Sequence, residues 1–302
     1  MGSLTNQIRC LNNIRGGLPI PTAILLVLAS GLTHAFWNLF TKKSRNKNAF
    51  LWSIHITSFV LLLPMFVREL ATASIPPSGY AFMGLSMLFQ MGYCLLLPVA
   101  YGKGDISQVY PLMRGTGALL VPILSVFLYK ETITIVGGIG IGCIVVGLFA
   151  ISGFFRIKPA QAARWNIGPA LAVGACITGY VLTDKIVLQS ISPLALIELC
   201  NLAYLMILTP IVIRTGGLGA EWRANRVTIA LGTVLSPGSY WLFLLAMKLA
   251  PLSHIAPVRE MGTVFATLLG VLLLKERQGL RRVLLSVVIT AGVILMGVWG
   301  NP

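Results

Sequence analysis

Long, unbroken runs of apolar residues recur along this chain, separated by short polar stretches, with no strict alternation of polar and apolar positions. Ten runs fall near residues 22–41, 50–68, 79–101, 106–129, 132–153, 166–183, 192–213, 226–249, 253–274 and 283–299. Each has about 18 to 24 residues, and about 20 apolar residues in a helix span a hydrocarbon core of ~30 Å. A membrane barrel strand would instead alternate over about ten residues. The pattern therefore predicts an all-α integral membrane protein of about ten transmembrane helices, with no soluble domain left over.

Composition agrees. Of 302 residues, 56% are hydrophobic and 10% charged, against about 25% charged in an average soluble domain, and the mean hydropathy is +0.86. Residues 1–21 form a tail with Arg9, Arg15, Pro19 and Pro21, which does not read as a cleaved signal peptide. The five cysteines show no metal spacing and read as small core hydrophobes. No metal or cofactor is expected, since Walker, HExxH, GxSxG and CxxCH patterns are missing.

The net charge of +15 does not call for a nucleic-acid partner once its distribution is considered. Fifteen of the 23 basic residues lie in loops after odd-numbered spans and six on the opposite side, leaving Arg114 and Arg259 inside spans. By the positive-inside rule the odd loops face the cytoplasm and both termini face outward. The expected partners are the lipid bilayer and a small-molecule substrate, with the chain a monomer or homodimer.

The same landmarks occur twice. "AYGKGDISQVYPLMRGTG" from Ala100 matches "AMKLAPLSHIAPVREMG" from Ala246, aligning Ser107 and Pro111 with Ser253 and Pro257, and Arg114 and Gly117 with Arg259 and Gly262. Lys130–Glu131 likewise matches Lys275–Glu276, and "TKK" at 41–43 resembles "TDK" at 183–185. A repeat that keeps its order across five spans indicates duplication. Five is odd, so the second copy enters the membrane from the other side and the halves are inverted repeats. Secondary transporters commonly use this architecture, with the substrate site at the midplane between the halves.

The segments "SQVYPLMRGTGALLVPILSVFLYKE" and "SHIAPVREMGTVFATLLGVLLLKE", with "HAFWN" in the first span and "TDK" ending the sixth, resemble the two EamA-like repeats of the drug/metabolite transporter superfamily. The resemblance implies a tail at 1–21, a five-helix repeat at 22–153, a linker at 154–165 and a second repeat at 166–300. It implies no enzyme but a secondary transporter, an exporter or exchanger of a small polar metabolite working by alternating access through a central cavity in the cell membrane. It leaves the solute open, with a proton-coupled exporter of organic cations or drugs as one alternative. A channel or receptor, or a membrane-bound enzyme, is the alternative of another class.

Arg114 and Arg259 lie seven or eight residues into their spans, roughly 11–12 Å of helix rise, near the midplane. A guanidinium is costly there. Either an acid neutralises it, with Glu260 as the partner for Arg114, or it meets an anionic group of the solute through its planar fork. Intramembrane proton relays use acids and histidines, which makes Glu260, Asp184, Glu198 and His34 the coupling candidates. Asp184 also fits a solvated ion pair with Lys185, and Glu198 an interfacial position. In span eight, "LSPGSYW" at 235–241 predicts a break at Pro237–Gly238, with Ser236, Tyr240 and Trp241 around it, and Gln90 and Tyr93 mark the counterpart in span three. Tyr110, Trp37 and Asn38 complete the predicted substrate lining. The pairs Lys130–Glu131 and Lys275–Glu276 read as helix-end anchors, and the glycines at 137–142 and 292–297 as close helix contacts.

Overall fold

In the computed structural model, which describes residues 20–101, 106–156, 167–274 and 280–300, each apolar run is helical. Lipid offers no hydrogen bonds to a backbone N–H or C=O, so a segment crossing it folds into the form that pairs these groups internally. In chain order the helices are α1 (Ile20–Lys43), α2 (Lys47–Thr72), α3 (Pro77–Tyr101), α4 (Ile106–Tyr129), α5 (Ile135–Ser152), α6 (Ile167–Val187), α7 (Pro193–Thr215), α8 (Leu218–Leu249), α9 (Leu252–Val258), α10 (Met261–Leu274) and α11 (Leu280–Trp299). The first eight are each long and apolar enough to cross a bilayer. The ninth crossing is split into α9 and α10, and α11 is the tenth. No strand occurs among the described residues. Lys275–Glu276 and the basic residues of the N-terminal tail lie outside them.

The packing shows the inverted repeat directly. α1 packs on α8 and α10, and its counterpart α6 packs on α3 and α4. The first helix of each half is thus inserted into the other half. Across the pseudo-two-fold axis α2 pairs with α7 and α5 with α11. Gly140 and Gly292 make the α5–α11 contact possible, because a Cβ on Gly292 would stand 2.6 Å from the Gly140 carbonyl oxygen. The small-residue stretches therefore serve packing within the bundle.

Large apolar side chains such as Leu61, Phe127, Ile139, Val234 and Ile294 are exposed on the surface, whereas Ser30, Gln90, Asp184, Glu198 and Asn201 are buried. This is the distribution expected when lipid is outside and polar chemistry faces the bundle interior. Ser30 and Ser239 exchange hydroxyl-to-carbonyl hydrogen bonds of 2.6 and 3.1 Å, tying α1 to α8.

Three acids act at helix N-termini, where free N–H groups and the helix dipole favour negative charge. Glu69 accepts from the Ser192 N–H and hydroxyl ahead of α7. Glu221 accepts from the Asn46 N–H ahead of α2 at 2.8 Å. Glu131, in the loop after α4, accepts from the Leu252 and Ser253 N–H groups at 2.8 and 2.7 Å and pairs with Lys185 at 2.8 Å. The helix-end anchor is thus a cap on a different helix, and Lys130 beside it is exposed.

Burial opposes the Glu131 charge, but Lys185 and the Ser253 N–H outweigh it and hold the carboxyl below its ordinary value near 4.5. Its stabilisation is therefore complete above that value and is lost as pH falls through the lower folded pKa. Glu131→Gln is expected to cost about 1–3 kcal/mol at neutral pH and to flatten the acid limb of thermal stability. A wild-type acid limb in the variant would show that the carboxyl contributes little.

Candidate solute-binding site

Between the two halves of the bundle lies a cavity of about 100 Å³, walled by α1, α2, α3, α4, α6, α7, α8 and the α9–α10 junction. The chain breaks helical form at Arg259–Glu260, between α9 and α10. Pro257 has no N–H to donate, and the turn that follows uses i→i+3 bonds: Glu260 N–H to the Pro257 carbonyl at 3.0 Å and Thr263 N–H to the Glu260 carbonyl at 2.9 Å. Gly31 lets α1 close on this turn, since a Cβ there would sit 3.0 Å from the Gly262 nitrogen. The break expected at Pro237–Gly238 does not occur. α8 runs through it, its one non-helical residue being Asn225 (φ −128°, ψ 24°), and α3 is continuous past Gln90 and Tyr93. A proline alone removes one hydrogen bond, which a packed helix absorbs; the ninth crossing combines proline with i→i+3 turns.

The two arginines differ in their partners. Arg114, on unbroken α4, grips Glu260 through Nε at 2.9 Å and Nη2 at 2.6 Å, a two-point ion pair joining the halves. Arg259 has no carboxylate partner among the described residues. Its guanidinium carbon lies 4.2 Å from the Phe243 ring centre and 5.3 Å from that of Tyr240, and its Nε is buried without a hydrogen bond among the described residues. Aromatic faces stabilise a cation by about 2 kcal/mol when both are out of water. They leave the donor fork of Arg259 for another ligand, and both guanidinium groups line the cavity.

His34, Trp37, Gln90, Tyr93, Tyr110, Ser236 and Tyr240 also line it. The Trp37 indole N–H is buried without a partner among the described residues. Asn38 is turned away and donates to the His34 carbonyl on its own helix at 2.9 Å. Trp241 is exposed outside the cavity, because one residue along a helix rotates the side chain by about 100° from inward-facing Tyr240.

Asp184 is not in a solvated pair. It is fully buried, its carboxyl oxygens accepting from the Ser86 and Tyr240 hydroxyls, while Lys185 turns to Glu131. The adjacent side chains diverge around α6, Asp184 to the Ser86 and Tyr240 hydroxyls and Lys185, also buried, to Glu131. Glu198, six residues past the Ser192 cap of α7, is likewise covered by neighbouring side chains.

Tyr180, Tyr204, His55 and Asn201 also line the cavity, although the sequence did not single them out. Their signal was helical spacing: Ile177, Tyr180 and Asp184 share one stripe of α6, and Glu198, Asn201 and Tyr204 one stripe of α7. Adjacent rings run from His55 through Tyr204, Tyr93 and Tyr180 to Tyr240, with centroid separations of 4.4, 6.3, 6.4 and 6.2 Å.

The model of the EamA-like transporter family matches residues 21–153 and 165–298. One solved crystal structure covers 91% of this chain, and 98% of its own, with a TM-score of 0.72 and 16% sequence identity, a likeness of fold alone. No curated protein matches the chain.

Proposed function

Because the chain belongs to the EamA-like transporter family, membrane transporters of the drug/metabolite transporter superfamily, we propose that it exports or exchanges a small metabolite carrying one carboxylate. The observation that carries this reading is the unequal state of the two arginines. Arg114 is neutralised by Glu260, so the pair contributes no net charge, and Arg259 supplies one uncompensated positive charge at the cavity wall. A monoanion balances that charge, whereas a phosphate dianion would leave an excess. A carboxylate also matches a guanidinium fork with two parallel hydrogen bonds. Tyrosine rings and the Trp37 N–H suit the remainder of a solute that is partly apolar with a few polar groups.

In this reading the solute enters between the halves and docks on Arg259. The halves then rock about the α9–α10 turn and the α1 contact, closing one side and opening the other. The protein acts in the cell membrane, with odd-numbered loops cytoplasmic and both termini outside.

A thermal-shift screen of purified protein against amino acids, organic acids, phosphonates, phosphate esters and organic cations tests the proposal, since a ligand bound only by the folded state raises stability. Carboxylates are expected to stabilise, by about 2.7 kcal/mol at a hundred times Kd. Stabilisation by cations alone, unchanged in Arg259→Ala, would replace this reading with an exporter of organic cations in which Asp184 is the acid.

A further inference from the structure

Six acids fall among the described residues, and their partners separate them. Glu69, Glu131 and Glu221 hold helix ends, and Glu260 holds Arg114. That leaves Asp184 and Glu198, both fully buried in the bundle and neither in an ion pair among the described residues, since Lys185 turns to Glu131. Both Asp184 oxygens are engaged by hydroxyls. Glu198 differs: Oε2 accepts from Asn201 Nδ2 at 3.0 Å, and Oε1 is buried with no partner among the described residues.

Asn201 joins three groups. Its Nδ2 also donates to the Ser58 hydroxyl at 3.1 Å, and its Oδ1 lies 2.9 Å from His55 Nδ1. An amide oxygen can only accept, so His55 carries its proton on Nδ1 and turns Nε2 to the cavity it lines. Glu198 sits six residues, about 9 Å of helix rise, below Ser192 at the start of α7.

We infer that the Glu198–Asn201–His55 cluster between α2 and α7 is a proton-binding site for coupling, separate from Arg259, with Glu198 as the group that gains and loses the proton. The inference rests on the transporter reading. An ionised carboxylate at Glu198 would have no counter-charge and one bare oxygen, a state sustained only while water reaches it. Alternating access that brings water to Glu198 from one side and then withdraws it would thereby couple its protonation to the conformational cycle. The titratable groups facing the cluster from neighbouring helices are His55 on α2 and Tyr93 and Cys94 on α3. α7 itself adds Cys200 and Tyr204, and α6 presents Tyr180 and Asp184 across the cavity. The same cavity also carries His34, Arg114 and Arg259, of which Arg114 is paired with Glu260 and none is in an ion pair with Glu198. The ring path from His55 to Tyr240 ends against Arg259, giving the two sites a continuous packed connection.

Infrared difference spectroscopy of the full chain in lipid bilayers, stepping pH between about 5 and 9, where a physiological coupling proton moves, tests this without a solute. One buried carboxylic-acid carbonyl band is expected to grow as pH falls, to vanish in Glu198→Gln and to persist in Asp184→Asn. Asn201→Ala, which keeps the carboxyl and removes its donor, is expected to shift the midpoint by about one pH unit and guards against misfolding of the first variant. The proposal is overturned if no band titrates in this range, if the band survives Glu198→Gln, or if sodium at constant pH abolishes it. Carboxylate stabilisation retained in Glu198→Gln and lost in Arg259→Ala keeps a failure here distinct from a failure of the anion reading.

Discussion

Arg259→Ala is expected to abolish stabilisation by carboxylates while leaving the empty protein folded and at least as heat-stable as the wild type. The two halves of this expectation have separate causes. A charge-assisted hydrogen bond contributes about 1.5–3 kcal/mol, so losing a two-point grip weakens binding by about 3 kcal/mol or more, on the order of a hundredfold in Kd. Meanwhile the variant removes a buried charge that has no carboxylate partner, and the desolvation cost it relieves offsets the lost stacking on Phe243 and Tyr240. Ligand titrations followed by thermal unfolding in detergent separate the two. Unchanged carboxylate affinity in a folded variant would remove Arg259 from the binding site.

Arg114→Ala is expected to behave in the opposite way, lowering stability by about 3–5 kcal/mol because Glu260 is left as a buried charge without its partner. Glu260→Gln strands Arg114 and is expected to cost a similar amount. The double variant Arg114→Met with Glu260→Gln, which removes both charges, is expected to recover most of the loss, since a buried ion pair replaced by neutral groups is often near neutral in energy. A double-mutant cycle on unfolding and on the yield of inserted protein measures the coupling. Additive losses in the double variant would mean that the pair does not act as a unit.

These contrasting expectations for two residues at matching places in a repeat mark where sequence reasoning stops. Repeat symmetry made Arg114 and Arg259 equivalents, and the 100° step between Arg259 and Glu260 made Glu260 one of two alternatives for neutralising Arg114. Which arginine remained free depended on the turn between α9 and α10, which has no counterpart in continuous α4. The glycine and proline positions predicted a break, but in span eight; hydrogen bonding around Pro257 and the close approach of Gly31 to Gly262 put it in the ninth crossing.

Length and hydropathy of the apolar runs were enough to determine ten crossings, because the thickness of a bilayer is external to the protein and sets one scale for every segment. The odd number of spans per repeat likewise determined the inversion. The direction of each side chain was another matter. Helices apolar nearly all round have no polar face by which to orient themselves, so neighbouring Tyr240 and Trp241 could not be told apart as inward or outward, nor Asp184 and Lys185 given separate partners, until α3, α6 and α8 were packed together. The same holds for Glu198, His55 and Asn201: residues far apart in the chain became one cluster only when α2 and α7 paired across the pseudo-two-fold axis.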